Sequence, residues 1–195
     1  MARTHPLPDL TRSLIAGEVA TRLSPEAMAA LNRNDSVELR EHFEVWVLPV
    51  GAITSPDRPM HQLALRSGLW HHQIHVGGKA VEFAHSRPHG PNPEDWSVHC
   101  VVSSPVASDI AEAIRWIDQN VSAPLNADND WLARLLIVPA YHLHILWLER
   151  GIDEQFLIAS APAIMQFFRV NTLYTRNELL SALAATRPVR GALLR

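Results

Sequence analysis

The chain has 195 residues, of which 47% are hydrophobic and 19% charged, a balance that describes a packed globular protein rather than a disordered one. Its formal net charge of -3 with histidines neutral gives no global positive field for nucleic acid or anionic lipid. One cysteine, Cys100, excludes an intramolecular disulfide and any multi-cysteine zinc site.

That length is expected to build one globular domain, 1–195, with short irregular termini. The opening MARTHPLPDLTRSLIAGEVATRL lacks the sustained apolar run of a secretory signal, so a cytoplasmic location is expected. Met1–Pro8 reads as an irregular arm, with His5 unassigned. Leu10–Leu23 reads as a helix with Leu14, Ile15, Val19 and Leu23 as its apolar residues. Ser24-Pro25-Glu26 then carries a helix start: serine caps exposed amides and proline suits the first turn. Phe43–Val50 alternates like a strand that Pro49 ends. Gly51–Pro59 reads as a turn or loop, and His61–Arg66 fits helix and strand equally.

Leu69–Ser86, LWHHQIHVGGKAVEFAHS, is the clearest local signal. Two alternating runs flank Gly77-Gly78, a pair suited to the positive φ of a tight hairpin. With Val76 opposite Lys79, a regular register sets Ile74 against Val81, His72 against Phe83 and Trp70 against His85. The other face then carries His71, Gln73, His75, Ala80, Glu82 and Ala84 toward solvent, with His75 and Glu82 as a surface charge pair. The proline-rich stretch Arg87–Pro93 is a loop. Trp96, Val98, Cys100 and Val102 form one face of the next strand. Ser104-Pro105 starts a helix presenting Val106, Ile110, Ala113, Ile114, Ile117 and Val121 to the core.

Asn126–Asp130 is a polar break before the longest apolar run, Leu132–Glu149. Pro139 splits that run into two extended segments bent at Val138–Ala140, each shorter than the roughly 20 residues a membrane-spanning helix needs. Tyr141, Leu143, Ile145 and Trp147 fall on one face of the second segment, and His142, His144, Leu146 and Leu148 on the other. Gln155–Ser160 supplies a further strand. Thr175 and Glu178 have capping-box spacing before a Leu179, Leu180, Leu183 stripe. The basic tail Arg187–Arg195 reads as a solvated end. The pattern as a whole predicts an α+β fold, an antiparallel or mixed β-sheet covered by helices.

Chemistry in the sequence concentrates in histidine, because imidazole can bind zinc or iron, exchange a proton near neutral pH, or satisfy an internal hydrogen bond. His72 and His85 share a face in the regular hairpin register, and His142 and His144 share one in the later strand. These four are the candidate metal ligands, and core packing is the alternative use of the same pairs. His71-His72-x-x-His75 is not the helical zinc-protease motif. Alternation points His99 and Cys100 apart, which argues against a Cys–His dyad and makes Cys100 a small core residue. Ser103 and Ser104 lack the flanking glycines of a nucleophile elbow, and Gly77-Gly78 lacks the remainder of a phosphate loop.

No complete catalytic motif emerges, and no cofactor is expected. The function read from the sequence is a non-enzymatic binding or interaction protein, with a protein partner or self-association and without nucleic-acid or membrane binding. The alternative is a histidine-dependent metalloenzyme, hydrolytic or oxygen-using, with zinc or iron held by the four histidines.

Overall fold

The computed structural model describes the chain apart from residues 1, 5, 34, 35, 55, 56, 122–130, 166 and 189–195. His5, the Asn126–Asp130 break and most of the basic tail therefore lie outside the described residues. The chain forms two compact units. A histidine-rich unit comprises Thr4–Glu44 and Gly68–Ala111, and an apolar unit comprises Met1–Arg3, Val45–Ser67 and Glu112–Arg195. The fold is mixed, a largely antiparallel β-sheet flanked by helices, as the alternating runs predict.

In the histidine-rich unit, α1 (Asp9–Ala20) and α2 (Pro25–Leu31) pack on strands drawn from β2 (Val37–Val47), β3 (Leu65–Val76), β4 (Lys79–Pro88) and β5 (Trp96–Ser103). Strand order here is β5-β4-β3-β2. Ile15, Val19, Leu23 and Ala27 from the helical side meet Ile74, Val76, Ala84 and Val98 of the sheet. The Ser24 side chain accepts from the Ala27 amide, so the predicted cap forms. Gly77 and Gly78 have φ of 56° and 78°, conformations that most L side chains resist, and they close the β3–β4 hairpin where the sequence places it.

The apolar unit is built on β6 (Trp131–Val138), β7 (Leu143–Arg150) and β8 (Asp153–Ser160), which run antiparallel in that order. β8 pairs in turn with the short β9 (Leu173–Tyr174). β1 (Ala2–Arg3) and the Val45–Val47 end of β2 pair parallel with β6, which makes the sheet mixed. Pro139 opens a single 3-10 turn, Pro139–Tyr141, between β6 and β7, so the long run bends where proline removes a ladder donor. Tyr141, Leu143, Ile145 and Trp147 all join one core with α3 (Met60–Leu63) and α5 (Arg176–Ala185). Trp147 meets Trp46 edge-on at 5.4 Å, and the Arg134 guanidinium lies 4.9 Å from its ring centroid. The α5 capping box forms between Thr175 and Glu178. The remaining helix, α4 (Pro105–Asn120), buries Ala107, Ile110, Ala113 and Ile117. Among the described residues, no helix is long and apolar enough to cross a membrane.

Candidate functional site

The hairpin register departs from the regular one at a single place, and the side-chain chemistry follows from it. Val76 pairs with Lys79 and His75 with Ala80, but Ile74 pairs with Glu82, leaving Val81 as an extra residue on β4. A bulge of one residue reverses the faces of everything beyond it. His72 thus lies opposite Ala84 rather than Phe83, and His71 rather than His72 lies opposite His85. A second bulge, at His99, sets Cys100 opposite His85 and Val98 opposite Ser86. The predicted Trp96, Val98, Cys100, Val102 face is therefore split. Trp96 and Val98 meet the helix-covered core, while Cys100 turns to the other face and is only half-buried.

His72 finds its partners on the helix-covered side. Its Nδ1 lies 2.9 Å from Nδ1 of His42, and its Nε2 lies 2.6 Å from the Ser86 hydroxyl. Two protonated Nδ1 atoms cannot share that contact, so one imidazole donates and the other accepts. Burial keeps both rings neutral. His42 is pushed down to about 4 by desolvation, aided by the Arg12 guanidinium and opposed by Glu41. His72 is driven well below its ordinary value by desolvation, then by His42 and His85. The Ser86–His72–His42 order has the spacing of a nucleophile, base and orienting group, yet Ser86 and His72 are fully buried and His42 is 5% exposed. Burial withholds the hydroxyl from a substrate, and the chain serves as an internal hydrogen-bond network.

On the opposite face, the Gln73 amide donates to Nε2 of His71 at 3.1 Å, which leaves Nδ1–H of His71 to donate to Nε2 of His85 at 3.2 Å. Phe83 stacks on His71 with centroids 4.8 Å apart. His75 lies 3.3 Å from Glu41, not beside Glu82, and Glu41 holds an unusual φ of 38°. The predicted solvent-facing side of β3 is thus buried: His71, Gln73 and His75 are at most 7% exposed.

The other candidate ligands lie in the apolar unit. His142 is not in a strand. It follows the Pro139 turn in left-handed conformation, φ 52°, and is exposed. His144 lies within β7, opposite Ile137 and Ser160. Strand alternation therefore does not relate His142 to His144. Among the described residues, no three histidine, cysteine or carboxylate side chains converge as a metal site.

The Val81 bulge also shapes a groove that sequence alternation does not reveal. Val81, turned outward and 37% exposed, lines a depression of about 400 Å³ between α2 and the hairpin tip. Ala27, Ala30 and Val76 line it with Val81, and Lys79 and Arg33 bring positive charge. Glu82, expected on the surface, is 1% exposed and lines the same groove. Its carboxylate accepts from the Ser24 amide at 3.1 Å. The sequence signal for this site was the strong acid inside an otherwise apolar AVEFA run, since a glutamate there must be solvated or specifically held. No family model, curated protein or solved structure matches the chain.

Proposed function

We propose that the chain is a non-enzymatic binding protein whose ligand site is the groove between α2 and the β3–β4 hairpin tip. The observation that carries this reading is the Val81 bulge. It opens a concavity of about 400 Å³ with apolar lining and charged groups of both signs, a size and composition common to small-molecule sites. The buried histidines are accounted for by internal hydrogen bonding, and the fully buried Ser86 offers no reachable nucleophile. Fragment screening by protein-observed NMR tests the reading. Shifts are expected to cluster on Ala27, Val76 and Val81 and to disappear in Ala30→Trp, which fills the groove. A screen whose shifts never map there overturns it.

A protein partner is supported by a separate observation in the apolar unit. Ile164, Phe167 and Val170 are 77%, 73% and 48% exposed within one short segment, and clustered exposed apolar residues favour association. Light scattering coupled to size exclusion tests the self-association form. Concentration-dependent mass that Phe167→Glu abolishes is expected, and a strict monomer removes it.

A further inference from the structure

We propose that the groove recognises a primary ammonium group, through the carboxylate of Glu82. The inference rests on the groove being the binding site and adds the chemistry of what it binds. Glu82 is 1% exposed, and a buried carboxylate is expensive unless hydrogen-bonded and paired with a cation. Its hydrogen bonding among the described residues consists of the Ser24 amide, at 3.1 Å to one oxygen and 3.5 Å to the other. No lysine, arginine or histidine nitrogen among the described residues lies within ion-pair reach of it, although Lys79 and Arg33 line the same groove. The geometry thus leaves the carboxylate most of its accepting capacity and no counter-charge, at the wall of a cavity open to solvent.

The groove matches an alkylammonium along its whole length. Ala27, Ala30, Val76 and Val81 supply apolar contact for a short methylene chain, and Glu82 receives its charged end. An ammonium has three donors and no acceptor, so it complements a carboxylate that already holds one backbone N–H. The bulge is what joins these elements, since it turns Val81 out into the groove and Glu82 inward beside Ser24. The same chemistry is carried by a free small amine and by a lysine side chain of a peptide. The competing account is a neutral, protonated Glu82 with a purely structural role.

The full-length protein is titrated with n-butylammonium, with n-butanol and with the tripeptide acetyl-Gly-Lys-Gly-amide, following the amides of Ala27 and Val81 by NMR. Saturable shifts with butylammonium, at least about tenfold stronger than with butanol, are expected from a charge-assisted hydrogen bond. Tripeptide binding assigns the ammonium to a peptide lysine, and its failure beside butylammonium binding assigns it to a free amine. Glu82→Gln is expected to lose about tenfold or more in affinity while raising the melting temperature of the free protein, because it removes an unpaired buried charge. Val81→Lys, which tethers an ammonium at the groove, is expected to block butylammonium even if Glu82→Gln fails to fold. Equal responses to butanol and butylammonium overturn the ammonium assignment and leave the groove reading standing, as does unchanged binding in either variant. Silence from all three probes, with fragments still mapping to the groove, likewise overturns the ammonium alone; silence from the fragments too overturns both.

Discussion

The β3–β4 hairpin and the β6–β7 hairpin are similar in length and differ in what their ladders do. β6 and β7 pair over seven successive positions without a shift, from Leu132 with Glu149 to Val138 with Leu143. β3 and β4 slip by one residue at Val81, and β4 and β5 slip again at His99. The regular ladder carries Leu, Ile and Trp into a dry core. The interrupted one buries His71, His72, Gln73, His75 and Glu82. An apolar strand is fixed by burial, so its register has one good solution. A strand rich in histidine can bury either face provided partners exist, and the bulges select which partners meet.

The contrast breaks most sharply at Trp147. It is fully buried between Trp46 and Phe156, and Trp147→Ala is expected to cost about 3–5 kcal/mol of unfolding free energy. Urea denaturation checks this, and a loss below about 1 kcal/mol would mean the site collapses around the missing ring. No single side chain of the histidine-rich unit is expected to match it.

Acid should single out the other region. His42 titrates at about 4 when folded against 6.5 in its ordinary state, so below 6.5 the unfolded chain binds more protons and stability falls with pH. The contribution is complete above about pH 6.5 and lost progressively as pH drops toward 4, in total roughly 3 kcal/mol at about 1.4 kcal/mol per unit. His72, depressed by burial and by His42, steepens the loss in the same direction. Denaturant melts at a series of pH values measure it. His42→Gln should flatten the profile, and a wild-type stability constant from pH 7 to 4.5 would remove the neutral-pair assignment.

A smaller effect sharpens the comparison at the second bulge. Val98, beside the unpaired His99, has its amide donated to Glu18 at 2.9 Å and its carbonyl bonded by Arg22 at 2.8 Å. Helix α1 thus completes hydrogen bonding that the ladder leaves open. Glu18→Ala is expected to cost about 1–2 kcal/mol and to raise amide hydrogen exchange at Val98, with β7 unchanged. Exchange that rises equally in both hairpins would break the distinction. The smallest change is Thr175→Ala, which deletes the α5 cap in the apolar unit and is expected to cost about 1 kcal/mol by thermal melting.

Much of the fold could be read from residue order because the relevant forces are local. Gly77-Gly78, Ser24-Pro25, Pro139 and Thr175-x-x-Glu178 each act within a few residues, and each sits where the structure uses it. Strand alternation assigned the Tyr141, Leu143, Ile145, Trp147 core for the same reason. The candidate site was less legible. The start of β2 at Val37 escaped notice because the positive-φ Glu41 disturbs its alternation, and His42 went with it. His72 and His85 were paired by counting from the turn, a procedure that holds only without a bulge. Nothing within AVEFAH marks Val81 as the extra residue. That choice is made by long-range demands: Glu82 meets the Ser24 amide of a distant helix, and His72 meets His42 across the sheet.

The Val81 bulge has the effect of a frameshift. Between Gly77-Gly78 and position 81 the hairpin is read in one phase, and from Glu82 onward in the other. Deleting Val81 would leave every other residue in place in the sequence yet restore the first phase throughout β4. Phe83 and His85 would turn toward the face that Ala84 and Ser86 now occupy, and Glu82 would leave the Ser24 amide. Substitutions at Val81 should accordingly be tolerated widely, because the outward position accepts many side chains, whereas a one-residue deletion there rewrites both faces at once. The information at position 81 is its presence more than its identity.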